Sequence, residues 1–560
     1  MVVISTACAL LLILLAVAWL GFRVLSVRSE LTAARGVVAQ VQAGADVDGS
    51  LDALGGHGEA AAAAAADPIW RAAEVVPFVG PNLRAVRLAS ESLDVLANDL
   101  GRPAMAAVGA DSADPVFARV LPILAEAEPR LTQLAGDLEA VRGDESLVGD
   151  VRDGVDTVAP LLSGAAEALP VVSELLGANG PRNYLLVSQN NAEAVGLGGS
   201  AASQTLLRAD AGRIEIVGQA NSRLYRNSQK VPVEVPDSAL ALYSDYLVHH
   251  INTSSSRPDF PTMAQIVAAW WQRDIAPDQI DGVISIDPIA LSYVLRATGP
   301  VQLATGEELN EGNAVRLLLN EIYVRWGSYQ EAPLVDAFFA SAATSIFDAL
   351  TRGDFDPMAM VSALNDGIEN GSIMFWSAHE EVQQTIAPLR VAGILPDDNA
   401  DSTTIGVYYR DESMSKIDYY MKSAVGVEES CVDGVRSFAV SSTLHMDISQ
   451  TEADLLPQYI ASGHWGSQQF RTQVYIYGPP GTTVESVTVN GRDVHVARTD
   501  VQDLGRPVAW FTTNLVPTER ASVTAVFSGE DGDYGPVDIR STPMINKTGT
   551  ELATEGCAAR

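Results

Sequence analysis

Basic residues are scarce in this chain of 560 residues, with 36 Lys and Arg against 70 Asp and Glu, a formal net charge of −34. Because phosphate recognition needs clustered cations, this balance argues against a nucleic-acid-binding protein and leaves room only for a local basic site. Hydrophobic residues make up 47% of the chain, which excludes a mostly disordered protein. The length predicts about three structural units.

Cysteine is equally rare, since only Cys8, Cys431 and Cys557 occur. No C-x-x-C pair and no His/Cys ligand spacing is present, so the sequence predicts no metal site. It also lacks a serine nucleophile elbow, a phosphate-binding P-loop and an HExxH motif. If the C-terminal part is exported, Cys431 and Cys557 can form a disulfide worth about 4–5 kcal/mol. Two unrelated thiols are the alternative.

A long run without charge occurs at residues 2–22, VVISTACALLLILLAVAWLGF. About twenty apolar residues in a helix span the roughly 30 Å of a bilayer's hydrocarbon, so residues 1–22 are predicted to be a transmembrane signal anchor. Arg23 and Arg28 follow it, and the positive-inside rule alone would keep that side in the cytoplasm. Because long domains translocate largely regardless of flanking charge, we expect a single-pass protein whose bulk is extracytoplasmic.

Residues 23–176 are rich in Ala, Leu, Val and acidic residues at helical spacing and predict a helical stalk or bundle. The glycine-containing stretch 44–58 predicts a break in it. Trp70 and Phe78 are predicted to be core residues where two helices meet.

Residues 177–403 mix short strands with helices and predict a central α/β domain. A buried strand at Tyr184–Ser188 is expected to end in amides and an acid, before a glycine-rich turn. Strand ends beside flexible turns often form binding sites, although such amides can equally satisfy backbone groups at a hairpin. The polar residues of this segment are Gln189, Asn190, Asn191 and Glu193.

A local excess of cations follows in the loop that carries Arg223, Arg226 and Lys230. Arginine matches phosphate oxygens bidentately, so these cations together with Arg182 are candidates for holding a phosphate-bearing ligand. Surface ion pairs are the alternative. Asp287, which precedes Pro288, is interpreted as a helix N-cap.

Residues 404–560 alternate with period two and contain an Asn490-Gly491 hairpin signal, which predicts a C-terminal β-sandwich. The predicted fold is therefore multidomain α+β: a transmembrane helix, a helical stalk, a central α/β domain and a β-sandwich.

Several motifs, in this order along the chain, resemble those of the bacterial DUF4012 family. The members of that family look like membrane-anchored envelope proteins and are common in actinobacteria. The motifs are RNYLLVSQNNAE with its Gly-Gly turn, RPDFPTMAQ, IDGVISIDPIAL and the GPVQL strand; upstream, DPIWRAAEVVPFVGPNLRAV is similar too. That resemblance implies no established activity.

The order of elements is also similar to the LytR-CpsA-Psr family, signal-anchored enzymes that transfer glycopolymers from a polyprenyl-pyrophosphate carrier to the cell wall. This second resemblance implies phosphate-binding arginines and a carboxylate that holds Mg²⁺ or takes a proton. The positions comparable with that family are Arg182, Arg223 or Arg226, Asn252, Asp281 and Asp287. The candidate catalytic residues are Arg182, Glu193, Asp259 and Asp281, and the candidate ligand-binding residues are Arg182, Gln189, Asn190, Asn191, Arg223 and Arg226.

The arginine-rich run of those enzymes is not evident, because LLLNEIYVRWGS offers only Arg325. This favours a noncatalytic, membrane-anchored binding or scaffold protein for envelope polymers or proteins, with no cofactor. The alternative is a phosphotransferase that moves glycopolymer from a polyprenyl-pyrophosphate carrier to the wall, with Mg²⁺ as cofactor. The residues leave open whether the chain is an enzyme. Its expected partners are the membrane and cell-wall glycopolymer, polyprenyl-linked lipid or envelope proteins.

Overall fold

The computed structural model describes residues 2–42, 47–432, 434–466, 468–494, 500–530, 532 and 534–554, and side chains before Leu15 lie outside this description. The chain divides into two compact units. The helical unit comprises Met1–Arg182, Ala209–Ile214 and Thr351–Gly353. The mixed unit comprises Asn183–Arg208, Glu215–Leu350 and Asp354–Arg560.

The helical unit confirms the predicted helical N-terminal part. Its core is formed by leucines, valines and alanines at helical spacing, including Leu131, Leu138 and Leu162. A π-helical turn, Val95–Gly101, joins the fourth helix to the fifth. The helices are α1 (Val2–Gln42), α2 (Val47–Ala65), α3 (Pro68–Ala73), α4 (Gly80–Asp94), α5 (Arg102–Val108), α6 (Val116–Arg142) and α7 (Gly149–Leu175).

The predicted break at 44–58 is wrong for the described part of that stretch, because α2 begins at Val47 and continues through Gly58. These glycines allow close packing. A Cβ at Gly58 would lie 3.0 Å from the Cα of Asp94, and a Cβ at Gly55 would clash with the Asn98 side chain. Close approach of α2 to α4 therefore explains glycines that resemble a turn in the sequence.

The uncharged run at residues 2–22 forms the first half of α1. Among the described residues, Gly149–Leu175 and Tyr329–Arg352 are also long and apolar enough to cross a membrane, by length and composition alone. Both contribute core side chains, such as Leu162 and Phe338. Core helices of soluble proteins pass the same test, so length and composition alone do not establish a membrane span. The molecule has apolar helices compatible with membrane anchoring, and its topology stays a prediction.

The mixed unit is built on a ten-stranded sheet with the order β14-β15-β11-β8-β1-β2-β3, in which β4 pairs with β1 and β7, and β17 pairs with β8. A six-stranded sheet has the order β13-β12-β16-β10-β9-β18, and β5 pairs with β6. The strands are β1 (Arg182–Val195), β2 (Gly198–Asp210), β3 (Arg213–Asn221), β4 (Gly282–Ile286), β5 (Val301–Gln302), β6 (Glu308–Leu309), β7 (Ile373–Ser377), β8 (Thr403–Asp411), β9 (Met421–Val432), β10 (Val435–Met446), β11 (Phe470–Tyr477), β12 (Thr483–Val489), β13 (Arg492–Asp493), β14 (Gln502–Asp503), β15 (Arg506–Leu515), β16 (Arg520–Glu530), β17 (Val537–Ser541) and β18 (Gly549–Thr554).

Helices cover both faces of the large sheet. One core joins it to α10, with Phe260 and Trp270 fully buried. The helices of this unit are α8 (Asp237–Tyr243), α9 (Tyr246–His249), α10 (Phe260–Asp274), α11 (Pro288–Thr298), α12 (Ala314–Arg316), α13 (Ile322–Arg325), α14 (Ala332–Arg352), α15 (Pro357–Glu369), α16 (Glu380–Ile386) and α17 (Gln450–Ala453).

The predicted β-rich C-terminal part is observed, but its strands are shared between the two sheets. Val407 of β8 and Val440 of β10 lie in one hydrophobic core. The structure differs from the predicted boundary at 403/404, because β8 pairs with β1, β11 and β17 and so joins the sheet that the central segment begins. The pairing with β1 is short, at Val195 and Arg410, and side chains of both segments, such as Ala194 and Val407, also share one hydrophobic core.

Candidate functional site

The amide-rich segment is the interior of a strand and does not follow its end. The predicted strand Tyr184–Ser188 continues as β1 to Val195, and only Gly196 and Leu197 separate it from β2. Gly196 has a φ of 42°, which suits a tight hairpin turn. Tyr184–Ser188 pairs in parallel with β4, and Val195 pairs with Arg410 of β8. The polar side chains therefore lie where three segments of the sheet meet.

Asn191 makes the most deeply buried contacts of this segment. Its Nδ2 donates to Asp287 Oδ2 at 2.8 Å and to the carbonyl of Pro543 at 2.9 Å. Asp287 Oδ1 accepts from the backbone N–H groups of Ile289 and Ala290, both at 2.9 Å, which confirms the predicted N-cap of α11. Burial raises the pKa of Asp287 to about 6. This carboxyl fixes a helix start, and Asn191 is one of its supports.

Gln189 and Asn190 are also used internally. Gln189 Nε2 donates to Ser285 Oγ at 2.5 Å, and its Oε1 accepts from the backbone N–H of Gly199 at 2.7 Å. Asn190 Nδ2 donates to the Tyr323 hydroxyl at 2.7 Å. Both side chains are buried. Of the two interpretations open from the sequence, these contacts favour amides that satisfy polar groups of the fold.

Glu193 pairs with a residue that sequence reasoning missed, Lys416. The Lys416 ammonium contacts Glu193 Oε1, and Ser200 Oγ donates to Glu193 Oε2 at 2.5 Å. Lys416 is buried, and its Nζ lies 4.6 Å from the ring centroid of Tyr323 and 5.4 Å from that of Tyr459. The ammonium is thus enclosed by one carboxylate and two aromatic rings.

Two further carboxyls, Asp411 and Asp418, surround this pair. Asp418 Oδ2 accepts from the backbone N–H of Ala194 at 2.8 Å, and Asp411 Oδ1 accepts from that of Ser413 at 2.6 Å. Burial raises the pKa of both carboxyls, and the neighbouring charge of Glu193 adds to the effect. The sequence around Lys416 is polar, DESMSKID, so nothing in it indicates that this lysine is buried.

Asp281 lies at the start of β4. Its Oδ2 accepts from the backbone N–H of Asn183 at 2.8 Å, and its Oδ1 lies 3.1 Å from His379 Nε2. Gln279 Nε2 also donates to Oδ1 at 3.1 Å. Asp281 therefore joins the beginnings of β1 and β4, and both of its oxygens already have partners.

Asp259 belongs to a different buried network, centred on Arg257 and Asp503. Arg257 forms two parallel hydrogen bonds with Asp503, Nε to Oδ2 at 3.0 Å and Nη2 to Oδ1 at 2.9 Å. Arg257 Nη1 donates to Asp259 Oδ2 at 2.8 Å, and the Tyr477 hydroxyl donates to Asp503 at 3.1 Å. Burial raises the pKa of Asp259. Through this network the α10 entry is joined to β11 and β14.

Each candidate arginine is paired with a carboxylate. Arg182 pairs with Glu174 inside the helical unit. In the mixed unit, Arg223 pairs with Asp336, and Arg226 Nε donates to Asp274 Oδ1 at 2.6 Å. Hydrogen bonds from Arg273, and then from Arg226, hold the pKa of Asp274 well below its usual range. Arg223 and Arg226 are exposed, but the Asp274 side chain is buried, so the loop contains one surface ion pair and one pair with a buried acid.

A surface pocket of about 400 Å³ in the mixed unit is lined by none of the residues chosen from the sequence. Its lining includes Asn183, Arg208, Gln219, Trp271 and Asp278. Within the described part of the chain, no group of three or more His, Cys, Asp or Glu side chains is arranged to hold a metal ion.

Cys431 is disulfide-bonded. Its predicted partner, Cys557, lies outside the described residues, so their pairing stays a prediction. The last described strand, β18, runs parallel to β9 and ends with Thr554 opposite Glu429, two residues before Cys431. The chain thus leaves β18 beside that cysteine.

The molecule is a multidomain α+β protein with a helical N-terminal unit. Residues 179–323 match the model of the DUF4012 family, described as a protein of unknown function, which confirms that resemblance for this segment. No curated protein matches the chain. The likeness to the LytR-CpsA-Psr family stays a prediction.

Among solved structures, the chain is similar to a putative nutrient binding protein from Legionella pneumophila. The two are 9% identical with a TM-score of 0.15, and the match covers 23% of this chain and 44% of that one. The match thus spans less than half of that protein's length, and it supports no statement about fold or function.

Proposed function

We propose that this chain is a membrane-anchored, extracytoplasmic cell-envelope protein that binds or scaffolds envelope polymers or proteins and catalyses no reaction. The noncatalytic part of the proposal rests on one observation, which is that the candidate catalytic carboxylates already have partners inside the fold. Glu193, Asp259 and Asp281 are each engaged by internal partners. A general acid or base must instead reach a substrate proton.

Two further observations support the location. The uncharged run of α1 is long enough to span a bilayer. Cys431 is disulfide-bonded, and structural disulfides persist in oxidising compartments outside the cytoplasm.

Location is tested by washing membranes that contain the full chain with alkaline carbonate, beside a variant lacking residues 2–22. We expect the full chain to stay in the membrane and the variant to be released. A cysteine placed at the exposed Leu455 (Leu455→Cys) should react with a membrane-impermeant maleimide in intact cells. Release of the full chain, or labelling only after lysis, would contradict the proposal.

Ligand class is tested with the purified full chain and two probes, insoluble cell-wall sacculi and a polyprenyl pyrophosphate with and without Mg²⁺. We expect retention on sacculi, or on envelope proteins crosslinked in cells, and no specific binding of the carrier lipid. Arg182→Ala and Arg223→Ala should then behave as wild type. Tight carrier binding that both variants lose would instead support the glycopolymer phosphotransferase.

A further inference from the structure

The short loop between α3 and α4 exposes an unusual amount of apolar surface. Val75 is 84% exposed and Phe78 is 80% exposed, and Val76 and Val79 are each nearly half exposed. The prediction that Phe78 is a core residue is therefore wrong, whereas Trp70, only 1% exposed, is the predicted core residue of this turn. Large contiguous apolar patches on a folded surface usually mark contact sites.

The backbone holds this loop in place. Phe78 has a φ of 65°, in the left-handed region that large side chains seldom adopt. Asn82 Nδ2 donates to the Phe78 carbonyl at 2.9 Å, and the Gly80 N–H donates to the Val76 carbonyl at 2.7 Å. Side chains of Val75 and Phe78 are thus displayed by a fixed turn, at a cost in backbone strain that no packing of Phe78 offsets.

The helix that leads into this loop, α3, lies beside the part of α1 where the uncharged run ends. Asp67, which caps α3, accepts from Trp19 Nε1 at 2.9 Å and from Arg23 Nε at 3.1 Å. Trp70 of α3 packs in one cluster with Val27 and Leu20 of α1. Trp19 and Arg23 flank Phe22, the last residue of the run, and aromatic and basic residues are typical of a membrane interface.

A second exposed valine reaches the same end of the bundle. The Val148 N–H donates to Asn82 Oδ1 at 2.8 Å, and Asn82 Nδ2 also donates to the Ser146 carbonyl at 3.0 Å. The side chain of Asn82 therefore joins the α3–α4 loop to the turn before α7. Val148 is more than half exposed.

We propose that the base loop, defined as Val75–Val79 together with Val148, inserts into the surface of the lipid bilayer beside α1. The inference rests on the proposed membrane anchoring, because α1 brings the bilayer to this end of the helical unit. Apolar side chains that lie in the plane of the interface bury about 5–10 Å into the boundary between headgroups and acyl chains. The contact is apolar, because the exposed large side chains of the base loop are valines and a phenylalanine.

If the base loop inserts, the helical unit contacts the membrane at two places, where α1 leaves the bilayer and at the base loop. A single helix crossing leaves the attached domain free to tilt. Because α1 holds the loop near the bilayer, the effective concentration of the loop at the surface is high, and the second contact then restricts tilting.

The experiment places the photoreactive residue p-benzoylphenylalanine at one of three positions in the full chain. The protein is reconstituted in phosphatidylcholine vesicles containing phosphatidylglycerol and irradiated, and lipid adducts are identified by mass spectrometry. The replaced residues are Phe78 in the base loop, Leu15 in the apolar run as the test of anchoring, and Leu161, an exposed leucine within α7, as the control.

Lipid adducts at Leu15 and Phe78 but not at Leu161 are the expected result. Adducts at Leu15 alone would overturn the base-loop inference while leaving the anchor intact. An absence of adducts at both Leu15 and Phe78 would overturn the proposed anchoring as well. Equal labelling of Leu161 would also overturn the inference, because lipid contact would then not be confined to the base of the helical unit.

Discussion

Two regions of the molecule have the opposite exposure to the one that their residue types suggest. They are the segment Gln189–Glu193 of the mixed unit and the base loop of the helical unit. The polar segment resembles an exposed binding site, yet its amides are buried and hydrogen-bonded. Val75 and Phe78 resemble core residues, yet they are exposed. Residue type reports what a side chain prefers, whereas burial and partners report how the fold uses it. A residue is a candidate for external contact when its preference and its environment disagree.

The largest effect is expected where a buried charge would lose its partner. Arg257→Met should lower the free energy of unfolding by about 3–5 kcal/mol, because Asp503 would be left buried without its arginine. The measurement is denaturant unfolding of the full chain in detergent. Arg223→Met is the matched control, since that pair is exposed and should contribute about 0–1 kcal/mol. Equal costs would show that burial does not separate the two pairs.

The pH dependence of Asp287 should be the next largest effect. Its pKa rises from 3.8 unfolded to about 6 folded, so the folded chain retains a proton that the unfolded chain releases. The protonated Asp287 carboxyl therefore adds about 3 kcal/mol to the free energy of unfolding below about pH 4, relative to high pH. This contribution is lost as the pH rises through about 6. The difference in unfolding free energy between wild type and Asp287→Asn should change over this window. If this difference did not depend on pH, the raised pKa of the buried Asp287 carboxyl would be contradicted.

Asn191→Ala should lower the free energy of unfolding by about 1–3 kcal/mol, because Oδ2 of Asp287 and the Pro543 carbonyl would each lose a buried donor. Asn179→Ala is the control at an exposed position and should change it by about 0.5 kcal/mol or less. Thermal unfolding of both variants provides the comparison. If Asn191→Ala left stability unchanged but abolished a binding activity, the segment would be a site after all.

The smallest effect concerns Phe78 in detergent. Phe78→Gly should change the free energy of unfolding by no more than about 1 kcal/mol, because relief of the left-handed strain offsets the added freedom of glycine in the unfolded chain. Trp70→Ala, at the buried end of α3, should lower it by about 3–5 kcal/mol. A large loss from Phe78→Gly would mean that the phenylalanine packs within the unit.

Much of the architecture could be predicted from local pattern. Helical spacing identified the helical N-terminal part, Asp287-Pro288 identified a cap, and the ordered motifs identified the resemblance to DUF4012 that is confirmed for residues 179–323. These signals are local, because periodicity and caps depend on neighbouring residues. The sheet shared across residue 403 was not predictable, because pairing of β8 with β1 joins residues more than two hundred positions apart.

The internal partners of the candidate residues could not be predicted from the sequence for the same physical reason. Asn191 and Pro543 meet across 352 residues, and Lys416 meets Glu193 across 223, so no window of sequence shows that these groups have partners. Gly58 is a similar case, since its close approach to α4 is a tertiary contact and the sequence shows only a glycine.

Hydrogen–deuterium exchange of residues 189–195 in the full chain tests the central claim most directly, with and without polyprenyl pyrophosphate and Mg²⁺. If these residues hold the fold together, their amides should exchange as slowly as the most protected strands of the mixed unit, and the ligand should not change their rates. Rapid exchange that slows when the ligand is added would contradict the account, because the segment would then be an open site that ligand binding orders.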